Sequence, residues 1–233
     1  MGYIEFENVS KVFNHRGREI VALDGAEFFV KEGEFCVLTG PSGSGKTTIL
    51  NILAGMDTVT DGKVIVDGQE ISAYDERALE EYRRMDVGYI LSSGNLIPTL
   101  TVIENIELAA RLTSRPFDPK RALENVDLTE VANHFPDQLT RPQKQKAAIA
   151  RAMVKQAAML LLDEPMEHLS CAEGKDVLTV LYEISRETGK TVLLATQNEA
   201  VTGMADRIIR VRDGRVQRKY LNKKIKEIEE LIW

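Results

Sequence analysis

One stretch of the chain has the residue types and spacing to grip phosphate. Gly40-Pro41-Ser42-Gly43-Ser44-Gly45-Lys46-Thr47 fits the pattern G-x-x-x-x-G-K-[ST]. Gly40, Gly43 and Gly45 let the backbone curl so that successive N–H groups, those of Ser42 and Ser44 among them, face an anion. A helix opening near Lys46 adds its positive end. Lys46 then supplies a point charge to the β and γ phosphates of a nucleotide, and the Thr47 hydroxyl is a ligand for Mg²⁺. Thr48 continues the phosphate-facing run. An ordinary glycine turn would match by chance, but the chemistry also needs a strand before the loop and a helix after it. Phe35 to Thr39 reads as a short buried strand, and Thr47 to Ala54 reads as a helix.

A metal-bound phosphate needs a carboxylate from a second strand. Met159-Leu160-Leu161-Leu162-Asp163-Glu164 is an apolar strand ending in an acidic pair. Asp163 suits the Mg²⁺ shell, and Glu164 suits the polarisation of an attacking water. Taken alone, the pair would read equally well as an acidic helix cap.

The elements around these motifs alternate. Residues 1–30 alternate as antiparallel strands do, with Tyr3 to Glu7 and Ala26 to Val30 the clearest runs. Lys63 to Val66 is a β segment between the turn signals Asp61-Gly62 and Asp67-Gly68. Residues 72–155 read as mostly helical: 75–84, 102–112, 121–126 after the breakers Pro116 and Pro119, and 143–155. A strand (159–162), a long helix (172–188), a strand (191–195) and a hairpin around Asp213-Gly214 complete a βαβ pattern. The tail, Tyr220 to Trp233, reads as a charged amphipathic helix that docks a partner or packs on its own domain. The expected class is α/β: a phosphate-loop core, an antiparallel β subdomain and a helical subdomain at about 92–155. Residues 1–220 form one nucleotide-binding domain, with 221–233 as the terminal helix.

Composition narrows the function. The 233 residues are 43% hydrophobic and 28% charged, ordinary for a globular protein, and the net charge of −6 argues against a nucleic-acid partner. Two cysteines are too few for a disulfide framework, and Cys36 sits in an apolar run as a small buried hydrophobe. The N-terminus lacks a secretory pattern. No apolar stretch reaches the roughly 18 residues needed to cross a bilayer, so a membrane role would come through a partner.

From Ile4 to about Gln217 the sequence resembles the ATP-binding subunits of ABC transporters. The stretches Asn51 to Gly55, Asn95 to Pro98, Glu104 to Ile106 and Ala147 to Ala152 look closest to the lipoprotein-release and macrolide-export branch. The resemblance implies ATP and Mg²⁺ as ligands, a transmembrane permease as partner, and a place on the cytoplasmic face of the membrane. It also implies a head-to-tail dimer in which each ATP lies between one subunit's phosphate loop and the other's signature segment. Phe13 then occupies the place of the aromatic that stacks on adenine; a core position at a strand end would account for it as well.

The chain departs from the family pattern at several of the family's functional segments. The signature, usually Leu-Ser-Gly-Gly-Gln, reads Leu139-Thr140-Arg141-Pro142-Gln143. Thr140 keeps a hydroxyl, Arg141 offers a long cationic reach, and Pro142 has no N–H for a phosphate while remaining compatible with a first helical turn. Ser92 stands for the glutamine that follows an earlier strand. Ser170 stands for an aspartate, and Gln197 for a histidine; Gln197 can donate an amide hydrogen to a phosphate oxygen but carries no titratable proton. The expectation is normal nucleotide binding with slow or partner-dependent hydrolysis. The alternative is a regulatory or scaffold subunit that binds nucleotide without turning it over. A homodimer would carry every change in both sites, whereas an intact partner signature in a heterodimer would complete this subunit's own site.

Overall fold

The computed structural model describes residues 2–232. In chain order the elements are β1 (Ile4–His15), β2 (Arg18–Val30), β3 (Phe35–Thr39), α1 (Lys46–Leu53), β4 (Asp61–Val66), β5 (Gln69–Glu70), α2 (Glu76–Met85) and β6 (Val87–Leu91). They continue with α3 (Val102–Ala110), α4 (Pro119–Glu124), α5 (Arg141–Met153), β7 (Met159–Asp163), α6 (Cys171–Thr188), β8 (Thr191–Thr196), β9 (Arg207–Arg212) and β10 (Arg215–Leu221). Contacts divide the chain into two compact units, one of residues 1–83 with 191–233 and the other of residues 84–190.

The first unit holds an antiparallel sheet in the order β2-β1-β4-β5. Strand alternation buries Ile4 and Phe6 on one face and turns Glu7 out. Phe6 lies opposite Phe28, and their rings stack with centroids 4.4 Å apart. In the same unit β3 pairs in parallel with β8 on one side and β9 on the other, and β10 returns antiparallel to β9. All five β3 residues are buried, as a strand covered on both faces requires. The β9–β10 hairpin turns at Asp213 and Gly214, both at positive φ, which matches the right-handed strand twist. The expected helix and strands of this core are in place, although β1 and β2 run much longer than the short runs the pattern marks.

The second unit holds the parallel pair β6–β7 with α3 to α6. Within the largely helical 72–155 stretch, Val87–Leu91 is a strand: a β-rich run too short for a helix. Pro119 does not break the chain. It takes the first position of α4, where its missing N–H is harmless, and Asp118 caps the helix through Lys120 and Arg121 N–H. α5 begins at Arg141, two residues before the expected start. α6 ends on Gly189 at φ 66, a left-handed cap that glycine adopts without strain. Among the described residues, no helix is long and apolar enough to cross a membrane.

The tail corrects an expectation: 221–233 is not an amphipathic helix. Strand β10 runs through Leu221, and the residues after it hold only a 3-10 turn at Ile228–Glu230; Trp233 lies outside the described residues. Lys223, Lys224 and Lys226 would crowd like charges on so short a helix, which is marginal in water in any case. Instead Ile228 and Leu231 reach the core at 8% and 2% exposure, while Ile225 stays 40% exposed. Leu231→Ala is therefore expected to lower unfolding stability by about 2–4 kcal/mol. Ile225→Ala should stay within about 0.5 kcal/mol. Denaturant unfolding of the two variants checks this; a tail packed as an amphipathic helix would give comparable losses.

Candidate functional site

The phosphate-type loop leaves β3 at Gly40 and enters α1 at Lys46. Two of its glycines are required by close approach. A Cβ on Gly40 would stand 2.0 Å from the Val211 carbonyl oxygen, and one on Gly45 would stand 2.7 Å from that of Ala22. Gly45 also holds φ 107, a region closed to other residues, and as the cap of α1 it offers no side chain to the first-turn amides. The helix start therefore presents N–H groups and positive potential to an anion. Ser44 is buried, and its Oγ has no hydrogen-bond partner among the described residues. Lys46 is buried too, with Nζ folded back over the loop and donating to Gly40 O (2.8 Å) and Pro41 O (3.0 Å). A buried cation, an unused hydroxyl and an uncapped helix start fit a phosphate chain. Ser42, Gly43 and Thr47 line the exposed side, with Thr48 half-buried behind them.

Parallel register brings Gln197 to the same end of the sheet. Thr39 pairs with Thr196, so the residue after each strand, Gly40 and Gln197, leaves side by side. Gln197 is exposed. Thr196 Oγ1 accepts the Asn198 N–H (3.1 Å), and Asn198 Oδ1 caps a 3-10 turn at Glu199–Met204 by accepting from Ala200 N–H (3.0 Å). Thr39 Oγ1 donates to Glu199 Oε1 (3.2 Å), while Arg210 holds Glu199 Oε2 at 2.6 Å. Phe13 lies near the outer end of β1, 39% exposed, with the Lys11 ammonium 4.9 Å from its ring centre. It is a surface aromatic with one face under a cation, so the core-residue alternative does not hold.

In the second unit, the β6–β7 register pairs Leu91 with Asp163 and so sets Ser92 beside Glu164. Asp163 is half-buried, and its charge, after burial itself, pushes the Tyr89 hydroxyl pKa up. Glu164 stands at φ 46, a left-handed conformation that costs a non-glycine residue roughly 1–2 kcal/mol. Its carbonyl accepts the Glu167 N–H at 3.0 Å, so it opens a tight turn. Strain of this kind concentrates at functional positions. The loop after β6 is fastened to α5: Gln145 Nε2 donates to Leu91 O and Ser92 O, and Arg151 donates to Gly94 O (3.0 Å) and Asn95 O (2.7 Å). Sequence reading missed Gln145, and it took Arg151 only as part of the Ala147–Ala152 stretch, without its role. The signal available was a polar Gln145 and a cationic Arg151 flanking the apolar run Ala147–Ala150.

At the start of α5, Thr140 and Gln143 form a reciprocal capping box. Thr140 Oγ1 accepts the Gln143 N–H (3.4 Å), and Gln143 Oε1 accepts the Thr140 N–H (2.9 Å). Pro142 falls in the first turn, and Arg141 reaches away to donate to His168 O (3.1 Å). One first-turn amide is thus missing and another is engaged by the cap. Ser170 does the same work for α6, exchanging hydrogen bonds with Glu173. The bond from the Ser170 N–H, then that from its hydroxyl, hold the Glu173 carboxyl below the ordinary range.

A family model described as ABC transporter matches residues 23–167. An uncharacterised ABC transporter ATP-binding protein of Thermotoga maritima is 36% identical over 92% of this chain and 93% of its own length. The ATP-binding protein MJ0796 of Methanocaldococcus jannaschii is 38% identical over 92% of this chain and 95% of its own. Its dimeric structure, bound to ADP and Pi, superposes with a TM-score of 0.85 at 34% identity, covering 94% of this chain and 98% of that one. A macrolide export ATP-binding/permease protein, MacB of Hyphomonas neptunium, is 34% identical over 91% of this chain but only 34% of its own length.

Because Ser170 works as a helix cap, Ser170→Ala should cost about 1 kcal/mol, while Ser170→Asp, which caps equally well, should be near neutral. The depressed Glu173 carboxyl adds a pH signature. Its contribution is complete above the ordinary carboxylate pKa and is lost as pH falls through its lower folded value. Unfolding followed from neutral to acid pH should show a shallower acid limb for Ser170→Ala than for the wild type.

Proposed function

Since this chain belongs to the ABC transporter family of ATP-binding proteins, we propose that it binds Mg-ATP through the Gly40–Thr48 loop and couples it to a transmembrane permease. The observation that carries this is the loop itself: buried Lys46 and the unused Ser44 hydroxyl at an uncapped helix start. Lys46 neutralises the β and γ phosphates, and the backbone of Gly40, Ser42, Gly43, Ser44 and Gly45 wraps the chain, with Thr48 behind it. Phe13 offers the free face of its ring to adenine. Mg²⁺ would draw on the Thr47 hydroxyl and the Asp163 carboxylate, and would supply charge neutralisation of phosphate oxygens. Mg²⁺ ordinarily takes one or two protein ligands beside waters and phosphates; no cluster of three or more His, Cys, Asp or Glu side chains suited to a metal occurs among the described residues.

Glu164 takes the role of general base toward the attacking water, and Gln197 and Ser92 act as short polar contacts around the γ position. Thr140, Arg141 and Gln143 face the nucleotide of a second ATP-binding subunit, in a homo- or heterodimer at the cytoplasmic face of the membrane. Hydrolysis is slow, because the groups that sense or stabilise the γ-phosphate are altered. One lost preorganised donor costs about 10²–10³ in rate, and several in one unit combine non-additively. In a homodimer the depleted donors at the α5 start fall in both sites and favour a second reading, a nucleotide-binding regulatory subunit without turnover.

Titration of Mg-ATP into the purified chain tests the binding claim. Lys46→Ala should weaken affinity about 10- to 100-fold, the range for a lost hydrogen-bonded charge. Equal affinity in the variant would remove the loop from the binding site.

A further inference from the structure

We propose that Asn222 is a positioning residue for Gln197, acting through the 3-10 turn between them; the proposal rests on the reading of Gln197 as a phosphate contact. After β10 the chain does not leave the fold. The Asn222 N–H donates to Asp206 O (2.9 Å), and its side-chain Nδ2 donates to Thr202 O (2.7 Å) and Ala205 O (2.6 Å), with Gly203 O at 3.5 Å. Two short contacts to carbonyls require a donor at this position, which an aspartate could not supply. Four residues on, the Lys226 N–H donates to Gly203 O at 2.9 Å.

Gly203 leaves room for the strap. A Cβ there would stand 3.0 Å from Leu231 Cδ2 and 3.2 Å from Lys226 Cδ. Leu231 is buried at 2% exposure, as are Val201 and Met204 of the turn. Residues 222–231 thus lie across the turn and satisfy the carbonyls at its far end, groups that a short helix otherwise leaves orphaned.

The near end of the turn is the functional one. Asn198 caps it, Glu199 accepts the Thr39 hydroxyl at the strand end that launches the phosphate loop, and Gln197 is the residue just before the cap. An uncharged amide has only direction and distance with which to stabilise developing charge, so its backbone has to be held. The tail holds it from behind.

Hydrogen exchange of the full chain and its Asn222→Ala variant tests this. Amides of Gln197 to Ala205 should exchange at least about tenfold faster in the variant, with those of β9 unchanged. Lys226→Pro, which removes the second donor without touching the core, should act in the same direction and serves if Asn222→Ala does not fold. ATP turnover should fall about tenfold in Asn222→Ala at unchanged KM, and the double variant should turn over no more slowly than Gln197→Ala alone. Unchanged exchange in 197–205 would overturn the strap. A turnover loss that adds to that of Gln197→Ala would overturn its action through Gln197. Failure of the wild type to bind Mg-ATP would instead reject the nucleotide reading, and with it Gln197 as the target, while exchange still reports on the strap.

Discussion

The structure turns on how closely its backbone approaches itself at two glycines. Gly40 and Gly45 carry no side chain because the carbonyls of Val211 and Ala22 occupy the space one would need. Those carbonyls come from two different sheets of the same unit, β9 of the parallel one and β2 of the antiparallel one. The β9–β10 turn adds the Gly214 N–H, which donates to Ser44 O at 3.0 Å, and the Gly214 carbonyl in turn accepts from Asp24 N–H at 2.9 Å. The phosphate loop is therefore walled on both sides before any ligand arrives. Its amides and the Lys46 charge are preorganised at folding rather than at binding, which is the condition under which they act most strongly.

Four of the residues that depart from the family pattern, Thr140, Arg141, Pro142 and Ser170, share a physical character. Thr140 and Ser170 are both engaged as helix caps, Pro142 sits where a missing N–H does no harm to the helix, and Arg141 is turned to a carbonyl of its own unit. Each substitution preserves a helix start. On the proposed reading, what is given up is the supply of free donors and a titratable group near the γ-phosphate.

Much of this was legible in the sequence for physical reasons. A buried parallel strand is a continuous apolar run, so Phe35 to Thr39 and Met159 to Leu162 stood out, and the glycine spacing between strand and helix left little choice of chemistry. The β6 strand entered only through the family resemblance, as the strand before Ser92, because five residues in a largely helical stretch carry too few periods to be distinguished. The tail misled because Ile225, Ile228 and Ile232 follow helical spacing. Hydrogen bonds from Asn222 and burial of Leu231 override that weak preference, and neither contact is encoded locally. The roles of Gln145, Arg151 and Asn222 were not legible for the same reason: each satisfies backbone carbonyls far along the chain, which composition cannot reveal.

The most direct test of the central claim, an intact grip with an altered γ-phosphate environment, is steady-state phosphate release from Mg-ATP by the purified chain beside its Glu164→Gln variant. The account predicts slow release that Glu164→Gln lowers further, from a protein that binds nucleotide. Release as fast as that of ordinary transport ATPases would contradict it, and would mean that Thr140, Arg141 and Gln197 compensate fully for the altered γ-phosphate contacts.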